Sequence, residues 1–410
     1  MKADLSAVKG RTSLCVLFCM HAAAMAAYAV PFPNVLKSHG LADWAFLAVS
    51  TGSIASFISP MFAASLADRR IAPERLLATL TFLSGSLLAL VHASVQFHWG
   101  PQWFLGLMMA YALTNAPGFS LVTSIVLSRL SDARREFAPI RVWATWGWMA
   151  SSFIVSRCLH LDQSPIAGFI GAAIFLAESL FCLSLKPTLP PPGRAPRRWR
   201  DVIGWDALPL LRHPDHRLIF LTSAAFSAVM STLYVHTAPH LAAGGDPTPA
   251  ATMSLAQLCE GIAMLGISGL LLRFRIRWLL ISGLSLGILR YLLLATDYRP
   301  AMVASVALHG PLFVLFYMTS QIYLELRIDP AIRAQSQALL SIMNNGIGNL
   351  SGYLAIEVWH RHCLLPDGST NWPRFWSYLA AAATLLTAAF ASLYRGQSRT
   401  PNPSNPSNPA

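Results

Sequence analysis

One pattern constrains this chain more than any other: apolar runs of about 20 residues, separated by short polar or basic stretches, recur along nearly its whole length. A run of that length crosses the hydrocarbon core of a bilayer as a helix, and a helix satisfies its own backbone hydrogen bonds there. Twelve runs can be placed, near 13–36, 44–67, 76–95, 102–126, 141–159, 165–185, 217–241, 252–272, 278–296, 300–325, 335–358 and 373–394. The expected fold class is an all-α membrane protein with twelve transmembrane helices. Composition agrees, since 54% of the 410 residues are hydrophobic and 12% charged, whereas a soluble enzyme carries about 25% charge. The first run follows Lys2, Lys9 and Arg11 but is too long for the apolar core of a signal peptide, so it reads as the first span.

The net charge of +12 would suit a nucleic-acid partner if it lay on one face of a soluble domain. Its distribution argues otherwise. With the N-terminus placed in the cytoplasm, the inner segments hold 23 lysines and arginines, and the outer ones hold five: Lys37, Arg157, Arg299, Arg361 and Arg374. That is the positive-inside asymmetry of a multi-pass protein, and an even number of spans returns the C-terminus to the cytoplasm as well. The expected partners are therefore the lipid bilayer and a small solute, with no nucleic acid, and an inner membrane is the expected location. The six cysteines sit mostly inside apolar runs without metal-ligand spacing, and no cofactor-binding or nucleophile motif occurs, so neither cofactor, metal nor enzymatic activity is expected.

The longest inner connection, 186–216, is rich in proline and carries Arg197, Arg198 and Arg200. It divides the chain into a six-helix bundle at 1–185 and a second at 217–394, followed by a Pro-Asn-Ser tail at 395–410 that is expected to be disordered. Two pseudo-symmetric six-helix halves with substrate near the midplane is the arrangement of the major facilitator superfamily. The loop Ser65-Leu66-Ala67-Asp68-Arg69-Arg70 resembles that superfamily's acidic-basic signature. The resemblance implies a conformational role for Asp68 and Arg69, with Asp68 capping a neighbouring helix or pairing with arginine when the inner side is closed.

Polar residues inside the spans are the candidate site, because each is costly in hydrocarbon unless it is paired or functional. Arg141 heads the fifth run, with Thr145 one turn on and Trp148 nearly two, so a cation, a hydroxyl and an aromatic surface share one helix face. In the eighth run Gln257 and Glu260 lie three residues apart on theirs. Arg141 and Glu260 are the expected charge pair, since either alone costs about 3 kcal/mol or more. Arg141 also fits an interfacial anchor, and Glu260 a structural hydrogen bond. Glu178 in the sixth run shows no partner in the sequence, and Arg290 in the ninth is a second possible answer to Glu260. His21, His236 and His309 each fit a proton relay or a satisfied core imidazole.

Four separated stretches carry a family resemblance: Phe137 to Trp148, Ser254 to Glu260, Ile288 to Tyr291, and Asp329 to Gln337 running on to Asn344-Asn345-Gly346-Ile347-Gly348. In order and spacing they resemble the nucleoside:proton symporter family of the major facilitators. The resemblance implies that Arg141, Thr145, Trp148, Gln257 and Glu260 line a nucleoside and proton site. The chain departs from the family pattern in three places: Val314 where span ten carries an acid, Ser231 and Tyr234 where span seven carries Gln and Asn, and His21-Ala22-Ala23-Ala24 in a tryptophan-rich part of span one.

The expected function is import of a small polar solute, a nucleoside first, by proton symport with alternating access. Glu260, Arg141 and His309 form the coupling set, while Thr145, Tyr234 and Gln257 supply hydrogen bonds and Trp148 a stacking face. The alternatives are a uniporter or exporter of a sugar, an aromatic acid or an amphipathic compound, and a solute sensor that does not transport.

Overall fold

The computed structural model describes residues 2–188, 205–246 and 249–396. The basic cluster Arg197, Arg198 and Arg200 and the tail from 397 onward therefore lie outside the described residues. Among the described residues the chain is helical, with a single isolated bridge, Leu364 to Thr370, in place of any strand. Twelve rods follow one another: α1 (Lys2–Ala29), α2 (Ala45–Arg69), α3 (Pro73–Gln96), α4 (Pro101–Leu127), α5 (133–158), α6 (Ile166–Ser184), α7 (Pro214–Ala243), α8 (Pro249–Arg273), α9 (Ile276–Ala295), α10 (Arg299–Arg327), α11 (333–362) and α12 (Trp372–Leu393).

Ten of the twelve are long and apolar enough to cross a membrane on composition alone. The two that are not, α5 and α11, carry Arg141 with three Trp, and Gln335, Gln337 and three Asn respectively. Gln335 and Gln337 are buried against other helices and Arg141 is half-buried, so these rods hold their polar groups largely within the bundle. Leu180, Ile262, Leu265 and Leu385 are more than half exposed on the outside, a surface that suits lipid and not water.

Local chemistry sets the rod ends. Pro73, Pro101 and Pro214 stand in first turns, where a missing N–H is harmless. Asp132 caps α5 by accepting the Arg134 N–H at 3.0 Å. Because of that cap, α5 begins at Ala133, earlier than the apolar run suggested, and Arg141 lies eight residues in, about 12 Å along the helix. It is therefore not at the head of the span. Pro311 breaks the hydrogen-bond ladder of α10, and a π-helical turn, Val314–Met318, follows it. Similar turns close α5 at Ile154–Cys158 and interrupt α7 and α11 at Leu233–Thr237 and Ile342–Gly348.

The packing repeats with a shift of six. In the first half α1 packs on α5 and α6, α3 on α4 and α6, and α2 on α4. In the second, α7 packs on α11 and α12, α9 on α10 and α12, and α8 on α10. Between the halves the main contacts are α5 on α8 and α2 on α11, which the same shift interchanges. This pseudo-twofold arrangement is the major facilitator fold, and it brings the fifth and eighth rods, with their polar residues, face to face.

Candidate functional site

The site is built where α5 meets α8. The Thr145 hydroxyl donates to Glu260 Oε1 at 2.8 Å, and the Trp146 ring lies against Gly261 on the next residue of α8. On its other side α8 is backed by α10: a side chain at Gly310 would strike the backbone of Cys259 and Glu260, so only glycine lets the two helices approach this closely. Glu260 is thus held by a rigid backbone on one side and a hydroxyl on the other. Thr145 is 5% exposed, whereas Arg141, Trp148, Gln257 and Glu260 are each half-buried.

Arg141 does not close a direct ion pair with Glu260 among the described residues. Its guanidinium sits over the Phe18 ring of α1 and the Phe119 ring of α4, at 5.2 and 5.3 Å from their centroids, and attracts Glu260 through space. The expected contact is replaced because Thr145, one turn further along the same face, is the α5 group that reaches the carboxylate. The arginine is left with a cation–π seat on the two rings.

The other expected residues are dispersed. The side chain of Tyr234 lies outside the described residues. His309 is buried next to Gly310, but the charge acting on it is Arg290 of α9, not Glu260. Packing of α9 against α10 turns it that way. Val314 is buried in the π-helical turn of α10. Asp68, at the end of α2, accepts the N–H groups of Ala334 and Gln335 at 3.1 Å each and so caps the start of α11 in the other half. Arg69 pairs with Asp206. The sequence reading left Glu178 without a partner and weighed His21 alone, yet the two meet across α1 and α6 with Nδ1 3.0 Å from Oε1. The signal in the sequence was only that both groups stand inside apolar runs, because helix adjacency is not written there.

One group of side chains has metal-ligand chemistry: atoms of His236, Glu357 and His360 lie within 4.8 Å of one another. Two of the three already have partners, Arg361 on Glu357 and Thr370 on His360, each at 3.0 Å. They stand where α11 ends, away from the α5–α8 contact. A cavity of about 440 Å³ also lies elsewhere, at the helix ends, and is lined by Arg134, Arg273, Arg275, Arg277, Arg327 and Arg395. Phe274, Trp278 and Tyr394 share that lining, but six arginines gathered there suit an anion and not a neutral polar solute, so the α5–α8 contact is kept as the candidate site.

The profile of the Nucleoside H+ symporter family matches residues 9–399. The chain belongs to the nucleoside H+ symporter family. Within it, YegT of Escherichia coli K12 is 28% identical over 375 residues, covering 87% of this chain and 86% of YegT. The nucleoside permease NupG of the same organism is 25% identical over 370 residues, covering 84% and 86%. The solved structure of nucleoside transporter NupG superposes with a TM-score of 0.60 at 23% identity, over 94% of this chain and 99% of that one. FucP, a major facilitator, gives a TM-score of 0.74 at 15% identity over 94% and 98%. As a member of this family the chain is a multi-pass membrane transporter and not an enzyme. The four stretches that carried the family resemblance in the sequence include both α5 and α8 faces of the site.

Proposed function

We propose that this family member imports nucleosides together with a proton by alternating access, in an inner membrane with both termini in the cytoplasm. The observation that carries the reading is the Thr145–Glu260 contact between the halves, flanked by half-buried Arg141, Gln257 and Trp148. These groups offer what a nucleoside presents in complement: hydrogen-bond partners for ribose hydroxyls and base edges, and a ring for the base to stack on. Glu260 answers for the proton. With its charge present it holds to Thr145 and to the field of Arg141, and with the charge removed those attractions weaken, so protonation and solute binding together release the halves to move.

Two contacts at the arginine-rich ends support a state closed on that side. Asp68 caps α11 across the α2 contact, and the Ser268 hydroxyl of α8 donates to the Arg135 carbonyl of α5 at 3.3 Å, so both pseudo-symmetric seams are fastened there. The deciding experiment is uptake of labelled uridine, adenosine and xanthosine into proteoliposomes with an imposed inward proton gradient. Accumulation that collapses with a protonophore is expected, and absence of any flux would overturn the reading. Val314, standing where the family carries an acid, favours one second reading, a nucleoside uniporter, for which uptake would ignore the gradient.

A further inference from the structure

The first half contains a second ionisable pair that the Glu260 site leaves unused. His21 Nδ1 of α1 lies 3.0 Å from Oε1 and 3.3 Å from Oε2 of Glu178 on α6, and the two side chains are 1% and 0% exposed. The other ring nitrogen, Nε2, is buried without a hydrogen-bond partner among the described residues. Gly118 of α4 presses on the same ring, since a side chain there would strike it. Phe119 and Phe175 wall the imidazole at centroid distances of 4.8 and 5.8 Å.

Charge counting shows what such a pair can do. A buried carboxylate beside a neutral imidazole leaves one uncompensated negative charge in apolar surroundings, and one added proton makes the pair neutral overall, whichever of the two atoms carries it. The guanidinium of Arg141 rests on the same Phe119 ring that touches His21. Arg141 therefore stands between two carboxylates, Glu178 beyond Phe119 and Glu260 beyond Thr145. With His21 neutral, the four groups sum to minus one, and a single proton brings the set to zero whether it sits on the His21–Glu178 pair or on Glu260. The other titratable groups facing the pair are Tyr111 of α4 and Cys182 of α6; Tyr28 of α1 stands beyond Tyr111, His92 of α3 beyond Tyr28, and Glu74 of α3, paired with Arg129, beyond Cys182. The phenols and thiols are ordinarily neutral near pH 7, and Arg141 is the cation that shares a ring with the pair.

We propose that His21 and Glu178 form a proton-binding dyad linked to Glu260 through Arg141. The inference rests on the transport reading and identifies where that reading's proton resides in the present state. While the dyad holds the proton, Glu260 is ionised and kept by Thr145. When Glu260 is protonated instead, Arg141 is released to compensate the bare dyad. Only an N–H or O–H bond is exchanged between the two places, and the cluster gains or loses one proton in all.

The test does not need transport. Infrared difference spectra of the purified protein in lipid nanodiscs, titrated with pH in the absence of solute, should show a carboxyl C=O stretch that Glu178→Gln removes and that His21→Gln shifts in midpoint, while Glu260→Gln leaves it in place. In proteoliposomes, both dyad variants should lose gradient-driven accumulation of labelled uridine and keep uridine exchange. Spectra of the Glu178→Gln and His21→Gln proteins identical to wild type would overturn the dyad. If Glu178→Gln cannot be purified folded, His21→Gln decides by the same spectrum. If the wild-type protein moves no nucleoside, the transport reading fails while the spectra still decide the dyad.

Discussion

The Thr145 hydroxyl donates to Glu260 across 2.8 Å, and this bond ties α5 of the first half to α8 of the second. A hydrogen bond to a charged acceptor is worth about 1.5–3 kcal/mol. Thr145→Val should therefore reduce the initial rate of gradient-driven nucleoside uptake by about 10- to 100-fold, while Thr145→Ser, which keeps the hydroxyl, should stay close to wild type. Equal rates in both variants would remove this bond from the cycle.

Glu260→Gln keeps the shape and hydrogen bonding of a protonated carboxyl and deletes the charge that responds to pH. Exchange of nucleoside down its own gradient should persist, and accumulation against a gradient should vanish. Arg141→Ala alone should be worse than Arg141→Ala with Glu260→Gln, because the single change strands a carboxylate with no cation near it. Proteoliposome uptake measures all three, and undiminished uphill transport by Glu260→Gln would defeat the coupling role.

Trp148 is half-buried, one turn beyond Thr145 on the same helix. If a base stacks on it, Trp148→Ala should weaken nucleoside affinity by about 1–3 kcal/mol, the range for base–aromatic contacts. Trp148→Phe should lose less. Equilibrium binding to the purified protein reads both, and unchanged affinity in both would assign Trp148 to packing alone.

Asp68 accepts two backbone N–H groups at the start of α11. Replacing a cap of this kind costs about 0.5–2 kcal/mol, so Asp68→Ala should shift the population toward the state open at that end by about 2- to 30-fold. Reactivity of a cysteine introduced between α2 and α11 near Ser65 is the readout, and an unaltered labelling rate would deny the latch.

Gly310 touches the backbone of Glu260. Gly310→Ala should push α10 off α8 at a cost of about 1–3 kcal/mol, as overpacking does, lowering thermal stability and displacing Glu260 from Thr145. Melting of the purified variant at the wild-type temperature would show that the helices can part without penalty.

Much of the molecule was legible in the sequence because its physics is local. Run length against bilayer thickness determined the rods, and the asymmetry of lysine and arginine suggested their orientation. The i, i+4, i+7 spacing of Arg141, Thr145 and Trp148 announced one helix face, and the loop resemblance implied a cap for Asp68, although the helix it caps, α11, lies 266 residues further on and was not written in that loop. Even so, the Asp132 cap moved the start of α5 far enough to sink Arg141 about 12 Å along the rod. What only the tertiary structure decided was which polar group meets which. Thr145, and not Arg141, reaches Glu260; Arg141 rests on Phe18 and Phe119; His309 answers to Arg290; and Glu178 finds His21 across 157 residues of sequence. In a bundle each side chain's neighbour comes from whichever helix packs beside it, and at that packing distance a shift of one residue turns a side chain by about 100°, so pairing is a property of the assembled helices and not of any one of them.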